Sequence, residues 1–102
     1  MHLRSQREYE EHINVERKVI ETAAFFFNVP SSSIRKKTSV YALAHSLHDP
    51  VLFSFEIEKQ FGIELDDEEM DKTHTIASYI LIVKKHLRDE GRDSGENLRK
   101  VA

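Results

Sequence analysis

The sequence predicts an all-α fold of three main helices and one short helix, on three observations. Apolar residues recur at helical spacing in three stretches, helix-start and helix-stop residues bracket them, and the one strand-like run, Phe25-Phe26-Phe27, has no partner strand. In the first stretch Val19, Ile20, Ala23, Ala24 and Phe27 follow Ile13, and Asn28, Val29 and Pro30 end the helix near Phe27. Ser5-Gln6-Arg7-Glu8 reads as a capping box, so helical turns start ahead of the residues that pack them.

Pro30 to Asp49 is a connection of about twenty residues, a length that in a compact domain accompanies function or partial structure. Ile34, Val40 and Leu43 are expected to pin it to the core. Asp49-Pro50 opens the second main helix, with the Asp side chain capping free amides and Pro placed where no amide hydrogen is required. Phe61-Gly62 ends it, since Gly suits the left-handed conformation past a helix C-terminus. Phe53, Ile57 and Phe61 share one side of this helix, while Val51 and Phe55 fall nearly opposite. Two apolar faces imply two contacts.

Asp67-Glu68-Glu69-Met70 reads as the short helix, with acids favourably placed in its first turn. Thr73 or Thr75 caps the last helix, whose stripe is Ile76, Tyr79, Ile80, Val83 and Leu87. After Arg88 the chain turns polar, with Gly91 and Gly95. The expected organisation is a polar N-terminal extension with a helical start (1–12), one domain (13–88) and a flexible polar tail (89–102). Phe53, Ile57, Phe61, Ile76, Ile80 and Val83 are expected in the core.

At 102 residues the chain makes one small domain of modest stability. Fifteen Lys and Arg against eighteen Asp and Glu give a net charge of −3, which argues against an electrostatic footprint for nucleic acid or an anionic membrane. Zero cysteines exclude a disulfide scaffold, a thiol nucleophile and a thiolate zinc site, and fit a cytosolic setting. Neither a signal-peptide core nor a bilayer-length apolar run is present, so the expectation is a soluble protein. His45, His48 and Asp49 offer two imidazoles and a carboxylate, but no second ligand cluster stands elsewhere in the sequence and Asp49 is more naturally a helix cap. The acidic run Asp66 to Asp71 lacks the alternating ligands and turn glycine of a calcium loop. No metal is expected. No nucleophile with a positioned base and no phosphate-cradling Gly loop stands out, so the chain does not read as an enzyme.

Phe61 to His86, FGIELDDEEMDKTHTIASYILIVKKH, resembles the second half of an acyl carrier protein. Phe27-Asn28-Val29-Pro30-Ser31-Ser32-Ser33-Ile34 is similar to the end of that family's first helix, and Thr38-Ser39-Val40 continues in register. From Val51 through Phe61, Leu65, Asp67-Glu68-Glu69, Thr75 and Ile76 the likeness runs without a gap, and in all it covers residues 13 to 87. The resemblance implies an acyl-carrier-protein-like four-helix bundle of three main helices and a short one. It further implies a serine, in an Asp-Ser-Leu triplet at the start of the second helix, that takes 4′-phosphopantetheine.

Here that region reads Ala44-His45-Ser46-Leu47-His48-Asp49-Pro50. Counting forward from Val40 places the family serine at His48, and counting backward from Phe61 places it at Leu47; neither can take the group. Ser46 is the nearest hydroxyl and is followed by the expected leucine, at the cost of a shorter loop before it and one extra residue after it. Ala44 and His45 stand where the family has Gly and Asp. Ser46 is thus either the attachment point or a solvent-facing loop serine.

The resemblance also makes the second helix a docking surface. Val51 and Phe55 resemble the apolar pair offered to partner enzymes, and Glu56 and Glu58 supply charge beside them, while Leu52 and Lys59 replace acids frequent in the family. The other reading buries Phe55 under the long loop. Two functions follow. One is a monomeric cytoplasmic carrier that docks on acyl-transfer or biosynthetic enzymes and a phosphopantetheinyl transferase, with no nucleic acid or membrane partner. The other is a carrier-derived interaction module that has no cofactor.

Overall fold

The computed structural model describes the backbone of residues 2–101 and the side chains of residues 14–89. Its elements are α1 (His2–Phe27), a single 3-10 turn (Ser31–Ser33), α2 (Val40–Leu43), α3 (Asp49–Phe61), α4 (Asp67–Lys72) and α5 (Ile76–Val101). No strand occurs among the described residues, where one isolated bridge joins Ser39 to Thr75. The all-α bundle expected from sequence is therefore present, with α2 added inside the long connection. None of the described helices is long and apolar enough to cross a membrane.

The three long helices meet along residues spaced by three and four, and α1 packs on both α3 and α5. Val15, Val19, Ala23 and Phe27 of α1 face Phe53 and Ile57 of α3 and Ile76, Tyr79, Ile80 and Val83 of α5, all buried. An aromatic group fills the centre: the ring centroids of Phe27 and Phe53 lie 5.2 Å apart, and those of Phe53 and Tyr79 4.9 Å apart in an edge-on arrangement. Phe61 departs from expectation. It is only half-buried, because α3 ends there and its ring turns to the surface under the Lys18 ammonium, 4.9 Å from the ring centroid.

Helix ends follow local chemistry. Asn28 takes a left-handed φ of 57°, which Asn tolerates better than most residues, and the Val29 N–H reaches back to the Ala24 carbonyl. Gly62 does the same after α3, at φ 66°, donating its N–H to the Glu58 carbonyl. Asp66 and Glu69 form a reciprocal capping box at α4. Of the two threonines proposed to cap the last helix it is Thr75 that does so, accepting the Ser78 N–H.

The long connection is held by α5. The Ile76 and Ala77 N–H groups, unpaired within their own helix, donate to the carbonyls of Thr38 and Lys36, while the Val40 N–H donates to the His74 carbonyl. Ile34 and Val40 are buried and Leu43 half-buried, so all three pin the loop as expected. The α5 backbone continues to Val101, past Arg88 where the sequence reading ends the helix. The α1 backbone is already helical at His2, and the side chains of the Ser5–Glu8 capping box and of Ile13 lie outside the described residues. His86 lies within α5, its Nε2 3.0 Å from both oxygens of Glu69, tying α4 to α5.

Candidate functional site at the start of α3

The connection delivers residues 44–48 to the N-terminus of α3, where Ser46, Leu47 and His48 are all exposed. Asp49 does not cap α3 as expected from sequence. The N-cap position belongs to His48, Asp49 is the first helical residue, and its carboxylate turns back to the loop. There Oδ2 accepts the backbone N–H groups of His45 (2.8 Å) and Ser46 (3.2 Å), and Oδ1 accepts the Ser46 hydroxyl at 2.9 Å. The physical reason is that Asp49 stands inside the helix as its first residue, one place past the capping position, and its side chain meets the His45 and Ser46 amides that the preceding turn directs to it. Accepting the His45 N–H, then the Ser46 hydroxyl, holds the Asp49 carboxyl below its usual range.

A serine hydroxyl has one proton to donate and two lone pairs. At Ser46 the proton goes to Asp49 and one lone pair accepts the His48 N–H at 3.3 Å. One lone pair stays free on an exposed side chain. The turn therefore carries an exposed serine three residues before α3 begins.

The outer face of α3 continues from there. Val51 and Phe55 are 48% and 50% exposed, and Leu52 is 48% exposed beside them; Leu47, just before the helix, is 92% exposed. At about 100° per residue, Val51, Phe55, Lys59 and Leu52 share one side of the helix. The alternative that placed Phe55 under the long loop is not what the fold shows. Leu52 belongs to the same outward face, and its signal in the sequence was the phase that it shares with Val51 and Phe55; Leu47 is exposed in the turn just ahead of the helix.

The two acids differ in their surroundings. Glu56 binds its own helix through the Gln60 side-chain amide, at 2.7 Å. Glu58 directs Oε2 to the Leu65 backbone N–H at 2.7 Å and so closes the connection between α3 and α4. Its carboxylate is engaged within the fold. Among the described residues no group of three or more His, Asp or Glu side chains is placed to hold a metal ion. The His45, His48 and Asp49 cluster instead forms a turn closed by hydrogen bonds.

No protein-family model matches the chain, and no curated protein sequence does. Among solved structures, the chain is similar to the crystal structure of an acyl carrier protein from Thermotoga maritima, with a TM-score of 0.64 over 78% of this chain and 93% of that one. The two sequences are 22% identical over this match. The likeness is one of fold: this chain has the helical architecture of an acyl carrier protein.

Proposed function

We propose that the protein is a carrier-type domain that docks on acyl-transfer or other biosynthetic enzymes through the outer face of α3 and bears a 4′-phosphopantetheine arm on Ser46. The arm, when attached, supplies a terminal thiol that holds an acyl group as a thioester. The reactions belong to the partner enzymes, and the domain works as a cytosolic monomer spanning residues 13–88 between a polar extension and a polar tail.

The observation that carries this reading is an exposed serine with one unused lone pair in the turn that leads into α3, whose outer face shows Val51, Leu52 and Phe55 half-exposed, with Leu47 exposed between the two. Ser46 fits the group because it is an exposed residue whose hydroxyl keeps one lone pair unused. The apolar side chains fit a partner because grouped exposed apolar residues mark interaction surfaces. Glu56 lies at the edge of this face, and docking relies on apolar burial more than on charge.

A second reading, a carrier-derived module with no cofactor, is favoured by one specific observation: both the N–H and the O–H of Ser46 bond to Asp49 and close the turn. Both readings share the docking face. Amide-shift mapping with a captured partner enzyme tests it, with perturbations expected over residues 47–59. Perturbations confined to α1, sparing α3, would rule the docking face out.

A further inference from the structure

We propose that Asp49 is the positioning residue for phosphopantetheine transfer, holding the 45–49 turn so that the free lone pair of Ser46 Oγ faces the incoming phosphorus. This rests on the reading of Ser46 as the attachment point. Three hydrogen bonds converge on one carboxylate, two from backbone amides that fix the turn and one from the hydroxyl that reacts. The hydroxyl rotor is thereby set. Its proton points inward to Oδ1, the His48 N–H takes one lone pair, and the other lone pair alone is left for attack.

In the transfer step Ser46 Oγ forms a bond to the phosphorus of coenzyme A that bears the pantetheine. The bond from that phosphorus to the adenosine 3′,5′-bisphosphate breaks, and its electron pair departs with this leaving group. The hydroxyl proton leaves along the hydrogen bond to Asp49 Oδ1 and passes to water. A carboxylate held in its ionised form by two amides is a weak resting base, so its main contribution is orientation, which acts on the reacting complex.

The full chain, as wild type, Asp49→Asn and Asp49→Glu, is incubated with coenzyme A and a broad-specificity phosphopantetheinyl transferase, and added mass is followed with time. Asn should lower kcat by about 10- to 100-fold while leaving KM for the carrier nearly unchanged, the pattern of an interaction used in the transition state. Glu, which keeps the charge, should recover much of the loss. In the unloaded protein the His45 and Ser46 amide resonances should shift in Asp49→Asn with the helical circular dichroism unchanged, since His48 and Pro50 still start α3. If Asn fails to fold, Asp49→Ser takes its place: a loss of rate at constant KM supports the proposal, and the wild-type rate despite shifted His45 and Ser46 amides overturns it. Asn modified at the wild-type rate overturns the positioning role while leaving Ser46 as the attachment point. Absence of added mass on wild type fells the attachment reading and this proposal with it.

Discussion

The hydroxyls of Ser54 and Tyr79 lie 2.8 Å apart inside the core, each nearly inaccessible, where α3 faces α5. They satisfy one another where no water reaches. Removing one leaves the other buried and unpaired, so Ser54→Ala and Tyr79→Phe should each cost about 1 to 3 kcal/mol, and the double variant less than the sum. Burial raises the Tyr79 phenol above its ordinary 10.0, against the opposing effect of the hydrogen bond it shares with Ser54. The unfolded chain then releases that proton first. The stability that this buried phenol contributes is fully present below pH 10 and is lost as pH rises through the folded-state value, a loss that Tyr79→Phe should remove from denaturation midpoints.

Phe53 and Phe61 test the depth of the core. Phe53 is fully buried in the aromatic group, so Phe53→Ala should cost about 3 to 5 kcal/mol through lost burial and a cavity. Phe61, half-exposed under Lys18, should cost about 1 to 2 kcal/mol. Equal shifts in urea midpoint would contradict this difference.

The outer face of α3 should separate binding from stability. Val51→Ser with Phe55→Ser is expected to weaken binding of a captured partner with the helical fold retained, since both side chains are half-exposed. Glu58→Ala should do the reverse. It removes the acceptor of the Leu65 N–H, costing about 1 to 2 kcal/mol, and leaves partner affinity unchanged within twofold.

The turn at Asp49 has its own acid signature. Its carboxyl is lowered by the His45 N–H first and the Ser46 hydroxyl second, so the stability it contributes is present above the ordinary value of 3.8 and is lost as pH falls through the lower folded value. The His45 and Ser46 amide shifts should titrate together with a midpoint below 3.8. A midpoint at or above it would mean that the turn is not held by this carboxylate.

Periodicity made the helices legible because a buried stripe must repeat every three to four residues, as Val19, Ala23 and Phe27 or Ile76, Ile80 and Val83 do. The two faces of α3 followed from the same rule. Phe61 fits that stripe equally well, yet the helix ends there, and phase alone cannot tell a core position from its rim. Asp49 next to Pro50 carries a helix-start signal, but which amides a carboxylate takes depends on the turn that precedes it. Glu58 with Leu65 and Glu69 with His86 join residues 7 and 17 apart, contacts that the packing of helices creates and local pattern does not record. The same holds for Ser46, whose exposure and partners belong to the folded loop.

Intact-mass measurement of wild type and Ser46→Ala after incubation with coenzyme A and a broad-specificity phosphopantetheinyl transferase tests the attachment most directly. Wild type should gain the mass of one phosphopantetheine arm and Ser46→Ala none. An arm retained by Ser46→Ala, or wild type left unmodified by several competent transferases, would contradict it.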